Sequence, residues 1–278
     1  MVYTRYGEVF KKLRIQKGFS LSYFSILGIH KSSIARFEQG KSMLSVDKLD
    51  KLLQHMNVSF AEYELLLNRF VPEYQEDFLC SLEKAEFCSD NKKLHALYQE
   101  VAESENVLLK LAVKSKINVL NEREQEKILL YLKKVKYWGY FELCLAYAIL
   151  EYLNTPNLKD LLENFCEKNK HYYDVRKYKI KMYQITYRAI IILSSRNEQK
   201  LASEILSHRH GSDENCFEFY LSSYEKLAKG FYIYCFESKS EGGYILEEVY
   251  SIFENLGNKN MRTFCENRIK YFISKIKK

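Results

Sequence analysis

Proline is nearly missing from this chain of 278 residues, which has two, and glycine is sparse at ten. Proline breaks helices and glycine weakens them, so a chain with so few of either favours long helices and little sheet. Long apolar runs are missing too. The nearest, Phe141 to Leu150, covers about ten residues where a membrane-crossing helix needs roughly 18, so no membrane partner is expected. Met1-Val2-Tyr3-Thr4-Arg5 carries no signal-peptide apolar core, and a cytoplasmic location is the expectation. The seven cysteines, at 80, 88, 144, 166, 216, 235 and 265, contain no C-x-x-C, which argues against a disulfide framework and a zinc site. They fit small core residues in a reducing compartment.

The motifs of catalysis are absent as well. There is no phosphate-cradling glycine loop, no H-E-x-x-H and no G-x-S-x-G. His208 and His210 lack a third ligand at useful spacing, the nearest being Asp213, Glu214 and Cys216, and read as a surface loop. No enzyme activity, metal or cofactor is expected.

What is present is unevenly distributed. The net charge is +7, and residues 1–70 hold eleven Lys or Arg against six Asp or Glu, so most of the surplus lies in the first quarter. That is the asymmetry phosphate attraction needs, and the near-neutral remainder gives no such reason.

Within that quarter, Tyr3 to Lys17 places Val9, Phe10, Leu13 and, less neatly, Tyr6 on one helical stripe, with Lys11, Lys12 and Lys17 outside. Gly18 stops it. Ser20 is placed to cap a short second helix, where Phe24, Ile26 and Leu27 supply apolar contacts before Gly28 turns the chain. A third helix runs from Lys31 to Gln39, with Ile34 and Phe37 inward and Lys31, Ser32, Ser33 and Arg36 outward; Gly40 ends it at positive φ. Val46 to Met56 makes a fourth, with Leu49, Leu52, Leu53 and Met56 in register. Ser59 caps a fifth that carries Phe60, Tyr63 and Leu67. Short hydroxyls at the start of the third helix, followed a turn later by an arginine, suit entry into a DNA groove. Hydroxyls and helix N-terminal amides meet phosphates, and an arginine presents a two-pronged fork to guanine. Ser22 and Lys41 join them as candidate phosphate contacts.

Residues 5–64 resemble the Cro/repressor-type helix-turn-helix in Leu13-Arg14, Gly18-Phe19-Ser20, Ile29, Ile34 and Arg36-Phe37-Glu38-x-Gly40. The more specific form starting at Lys31-Ser32 resembles the Rgg/MutR regulators of Gram-positive bacteria. The resemblance implies that Arg14 and Glu38 form an internal ion pair. His30 departs from it, standing where a capping Ser or Thr is usual, and the segment Ser20 to His30 is one residue shorter than in many repressors.

Val71-Pro72 marks a boundary, because proline suits a helix start and disfavours helix at the residue before it. This gives a DNA-binding domain, 1–70, and a second domain, 71–278. The second reads as eleven helical segments, roughly 72–88, 91–104, 106–119, 122–137, 139–153, 156–168, 172–195, 198–207, 213–238, 243–256 and 258–276. Thr155 is read as an N-cap before Pro156, and Gly139, Gly211, Gly242-Gly243 and Gly257 as breaks. Phe217, Tyr220, Tyr224, Leu227, Phe231 and Cys235 keep helical spacing, as do Phe141, Leu145, Ala148 and Tyr152. Five or six helix pairs approach the period of helical-repeat arrays, whose inner face accepts an extended peptide.

The resemblance continues through Tyr131-Leu132, Trp138-Gly139 and Glu142-Leu143, then Gly230-Phe231-Tyr232 and Ile252-Phe253-x-x-Leu256-Gly257. Trp138 is read as a packing anchor. The expected fold is all-α: a five-helix Cro/repressor-type helix-turn-helix domain followed by a TPR-like right-handed helical-repeat domain. The family implies a homodimer on double-stranded promoter DNA, controlled by a short hydrophobic signalling peptide, a pheromone, on the concave face of the repeats. Candidate peptide contacts are Ala148 and Glu151, after the Trp-Gly motif, and Gln184, Tyr187 and Arg188, which interrupt the apolar run Ile185 to Leu193. Glu151 suggests preference for a basic or free amino group. The alternative is a helical-repeat scaffold for a protein partner, or a ligand-independent repressor, whose N-terminal unit serves mainly dimerisation or autoregulation.

Overall fold

A computed structural model describes residues 4–69, 74–169, 175–207 and 219–276, apart from the side chains of 166–169. All regular structure among them is helical, and the chain forms two compact units, Met1–Phe78 and Leu79–Lys278. The boundary read at Val71-Pro72 lies outside the described residues, as do His208, His210, Gly211, Asp213, Glu214, Cys216 and Phe217.

The first unit contains α1 (Thr4–Gln16), a 3-10 turn (Tyr23–Leu27), α2 (Lys31–Glu38), α3 (Val46–His55) and α4 (Phe60–Leu67). Phe10, Phe24, Ile34, Phe37, Leu52 and Leu53 are fully buried at its centre. The Phe10 ring lies 5.6 Å from that of Phe37 and 6.5 Å from that of Phe24, so one α1 side chain joins the elements on both sides of the turn. Each such side chain contributes about 1.5–3 kcal/mol by burial. Tyr63 of α4 adds a hydroxyl bond to the Tyr6 carbonyl at 2.7 Å.

The second helix differs from the sequence reading. It is one 3-10 turn, because local serine hydroxyls compete with the helical ladder: Ser20 Oγ accepts the Tyr23 N–H at 3.2 Å, and the Ser25 hydroxyl donates to the Ser22 carbonyl. The three-residue period keeps Phe24 and Leu27 on one side and turns Ile26 outward, 67% exposed, so Ile26 is not an apolar contact.

The chain continues through α5 (Tyr74–Phe87), α6 (Asn91–Ala102), α7 (Val107–Ile117), α8 (Glu122–Lys134), α9 (Tyr140–Ile149), α10 (Thr155–Asn169), α11 (Arg176–Ser195), α12 (Gln199–Ser207), α13 (Phe219–Phe236), α14 (Lys239–Asn255) and α15 (Lys259–Lys275). The starts are set by side-chain caps: Asp90 accepts from Lys93 N–H, Asn106 from Leu109, Asn121 from Glu124, Ser238 from Glu241 and Asn258 from Met261. Each is worth about 1 kcal/mol. At α10 the cap is Asn154, which accepts the Asn157 N–H at 2.9 Å, one residue before the Thr155 read from sequence.

The successive helices α6 and α7, α11 and α12, α13 and α14, and α14 and α15 pack as hairpins, and α11 also touches α9, α13 and α15. Gly242 and Gly243 do not break the chain, since α14 starts at Lys239 and runs through them. A β-carbon at Gly242 would stand 2.3 Å from Tyr234 N and 2.6 Å from Gly230 O, so glycine here permits close approach of α13 and α14.

Candidate nucleic-acid interface and interior charged cavity

Helix α2 is held from behind and bare in front. Ile34 and Phe37 are buried in the core, and Glu38 is bound by Arg14 of α1. Gly7 lets α1 lie directly on the end of α2, where a β-carbon would meet the Phe37 carbonyl oxygen at 1.9 Å. Gly40, at φ +68°, turns the chain out, and the Lys41 N–H bonds the Arg36 carbonyl at 2.9 Å. That places Lys41 beside the last turn of the helix. Lys31, Ser32, Arg36 and Lys41 are exposed, and Ser33 is half-buried. Ser22, also exposed, precedes the 3-10 turn. His30 occupies the N-cap with extended backbone, and its side chain makes no cap bond. The first amides of α2 therefore have no side-chain partner among the described residues, and the positive end of the helix suits an anion.

In the second unit the residues around Trp138 lock two helices together. The indole N–H donates to the Leu132 carbonyl at 3.0 Å, and its ring sits 6.1 Å from that of Phe165. The Tyr131 hydroxyl reaches Glu142 Oε1 at 2.5 Å, and Glu142 Oε2 accepts the Gly139 N–H at 2.8 Å. With Trp138 only 1% exposed, this sequence block fixes the α8–α9 corner and offers no indole surface to a ligand.

The interior residues expected to meet a ligand separate into two groups. Ala148, Glu151 and Arg188 line one cavity of about 250 Å³, together with Glu86, Lys116 and Arg268. Gln184 and Tyr187 are not among its walls. The Gln184 amide donates to Glu83 Oε1 at 2.8 Å and to the Tyr220 hydroxyl at 3.1 Å, while the Tyr187 hydroxyl lies 3.2 Å from Glu225 Oε2.

Ion pairs dominate the cavity. Arg188 donates from Nε and Nη2 to Glu151 Oε1 at 2.9 and 2.6 Å, and its Nη1 lies 3.4 Å from Glu86 Oε1. Lys116 Nζ is 2.8 Å from Glu86 Oε2, and Arg268 of α15 also pairs with Glu151. The buried Tyr147 ring faces three cations: Arg188 Cζ at 4.3 Å, Lys116 Nζ at 4.9 Å and Lys181 Nζ at 5.0 Å from its centroid. In a desolvated setting each such contact is worth up to about 2 kcal/mol. Burial would raise the Glu86 pKa, but the charges of Lys116, Arg188 and Arg268 outweigh it and bring the group down to about 2. Burial lowers Lys116 to about 8, only partly offset by Glu86. Glu151 is thus no open anionic site, since two guanidiniums already occupy it, and the expected preference for a basic or amino group loses its basis.

Sequence reading missed Glu83, Glu86, Lys116, Lys181 and Arg268. One signal was available: Lys181, Gln184 and Arg188 recur at i, i+3 and i+7, a polar stripe within an otherwise apolar helix. Their partners lie about a hundred residues away, as for Lys181 and Glu83 at 2.8 Å, and no local pattern announces them.

Comparison with known proteins matches both parts of the chain to family models. The family model for the C-terminal domain of the HTH-type transcriptional regulator Rgg matches residues 91–267, and a helix-turn-helix model matches 10–63. Among solved structures, a candidate transcriptional regulator from Listeria monocytogenes EGD-e superposes with a TM-score of 0.80 at 14% identity, covering 98% of each chain. The SHP pheromone receptor Rgg2 of Streptococcus dysgalactiae gives 0.75 at 20% identity, covering 96% of this chain and 99% of that one. PrgX, in its complex with cCF10, gives 0.69 at 14% identity, covering 99% of this chain and 94% of the other.

Proposed function

The chain belongs to the Rgg family of helix-turn-helix transcriptional regulators, and from that premise we propose that it is a cytoplasmic homodimer that binds promoter DNA and is controlled by a short imported hydrophobic peptide, a quorum-sensing signal. In this reading residues 1–70 bind DNA and 71–278 bind the peptide. The observation that carries the DNA half is the division of α2: Ile34, Phe37 and Glu38 are buried, while Lys31, Ser32 and Arg36 stay exposed beside an N-terminus without a side-chain cap. Ser32, Ser33 and the first amides meet phosphate, Arg36 reads a base edge, and Lys31, Lys41 and Ser22 set register on the backbone.

The peptide half is supported by the fold shared with Rgg2 and PrgX, described respectively as a pheromone receptor and as a complex with cCF10, and by the interior cavities of residues 79–278. A peptide can act only through different affinities for two arrangements of the protein. The test is binding of the full chain to DNA from the promoter region beside its own gene, across a salt series. Log affinity should fall steeply and linearly with log salt, and promoter DNA should win over random duplex by at least about a thousandfold. A salt-insensitive chain that does not discriminate sequences would instead be a helical-repeat scaffold.

A further inference from the structure

The cavity holding Arg188 is lined by three cations, Lys116, Arg188 and Arg268, and two carboxylates, Glu86 and Glu151. It therefore carries one positive charge in excess in a poorly solvated place, where an added anion gains most. The two carboxylates differ in how firmly they are held. Glu86 is clamped by Lys116 and Arg188, and its side chain is 11% exposed. Glu151 lies past the end of α9 with its side chain 22% exposed, and it is held by Arg188 of α11 and Arg268 of α15.

Glu151 also stands at a junction. Among the described residues it is the one shared by the walls of the charged cavity and of a second, larger cavity of about 780 Å³. That volume falls within the range of pockets that enclose a ligand, roughly 300–1,000 Å³. Its walls alternate apolar and polar groups: Phe236, Tyr271 and Phe272 beside Ser194 and Arg196. Ser194 Oγ and Arg196 Nη1 are buried there without a hydrogen-bond partner among the described residues. Groups left unsatisfied in this way favour a ligand with polar atoms spaced along an apolar body, as in a peptide main chain.

We propose that Arg188 and Arg268 are the receptor for a carboxylate of the bound peptide, and that Glu151 holds this receptor when the peptide is absent. Apolar peptide side chains lie in the larger cavity, the carboxylate passes the junction, and Glu151 turns out to solvent as an external carboxylate replaces an internal one. The guanidiniums never lose a counter-ion, so the exchange avoids the cost of an unpaired buried charge. This rests on the reading of residues 71–278 as a peptide receptor.

The test uses the full-length protein and two synthetic pools of octapeptides built from Leu, Ile, Val, Phe and Gly, one with free C-terminal carboxylates and one with C-terminal amides. Thermal stability and calorimetric affinity are read for each. The acid pool should raise the melting temperature and bind about tenfold or more tighter than the amide pool. Glu151→Gln should tighten acid-pool binding about tenfold and leave the amide pool unchanged, and Arg268→Gln should remove the difference between pools. Helicity by circular dichroism shows that both variants are folded. Equal binding of the two pools would overturn the carboxylate receptor while leaving the peptide receptor standing. Weaker acid-pool binding by Glu151→Gln would make Glu151 a ligand contact and overturn its role as a stand-in. If neither pool binds, the peptide reading fails and the proposal falls with it.

Discussion

Arg14 grips Glu38 with two prongs, Nε to Oε1 at 2.6 Å and Nη2 to Oε2 at 2.8 Å, while its third nitrogen, Nη1, donates to the Phe19 carbonyl at 2.7 Å. One guanidinium thus joins α1, the segment before the 3-10 turn and the last turn of α2, and fixes the angle at which α2 is presented. Both residues are 8% exposed, and the hydrogen bond to Glu38 raises the arginine's pKa, so the guanidinium stays charged. Breaking a buried pair leaves a naked charge, whereas removing both partners does not. Arg14→Met or Glu38→Leu alone should cost about 3–5 kcal/mol in urea unfolding of the first unit. The double substitution should recover at least half of the summed loss. Additive losses would show that the two side chains act independently.

Arg36 supports nothing in the core, so its replacement separates reading from folding. Arg36→Ala should leave the melting temperature within a degree or two and weaken promoter binding by about 1–3 kcal/mol, with relaxed preference at one base pair. Lys31→Ala or Lys41→Ala should instead weaken binding to all sequences and reduce the salt slope by about one. A uniform loss for Arg36→Ala would place that side chain on phosphate.

The fold was legible because the first unit spends its sequence locally. The stripe Phe10, Leu13, the pair Ile34, Phe37 and the set Leu49, Leu52, Leu53 and Met56 each follow helical periodicity and are all buried in one core. Residues acting across long sequence separations were much less legible. Arg188 and Glu151 stand out in the sequence, but their partners Glu86, Lys116 and Arg268 come from three other places in the chain, and each alone looks like an ordinary charge on a helix. Gly242 misled for a related reason. A Gly-Gly pair reads as a break when only local propensity is weighed, yet the nearby backbone of α13 is what requires it.

That reversal of Gly242 is itself testable. If the pair were a linker, alanine would be harmless or slightly stabilising. In the structure a β-carbon at Gly242 collides with the backbone of Tyr234 and Gly230, which cannot swing aside like a side chain tip. Gly242→Ala should therefore destabilise the second unit by about 1–3 kcal/mol or more, while Gly243→Ala, whose β-carbon meets nothing, should be neutral or better. Equal effects of the two substitutions would mean that α13 and α14 do not pack this closely.

Glu86 makes the second unit sensitive to acid. Its folded pKa of about 2 lies below the ordinary value of 4.5, because Lys116, Arg188 and Arg268 surround it. A carboxylate with a depressed folded pKa stabilises the fold fully above its unfolded pKa, and that contribution drains away as pH falls towards the folded value. The loss therefore falls between about pH 4.5 and about pH 2 and is on the order of 3 kcal/mol. Lys116 has the opposite linkage. Its folded pKa of about 8 lies below its ordinary 10.5, so between those values the unfolded chain binds the extra proton and this group makes stability rise with pH. Urea midpoints of the wild type and Glu86→Gln, taken every half unit from pH 6 to 2.5, isolate the acid limb. The variant should start less stable, with Lys116 and Arg188 deprived of their carboxylate, and its curve should be flatter below pH 4.5. Parallel acid limbs would mean that Glu86 is not held ionised by this cluster. The Arg188 cavity would then set three cations against Glu151 alone, an excess of two positive charges rather than one.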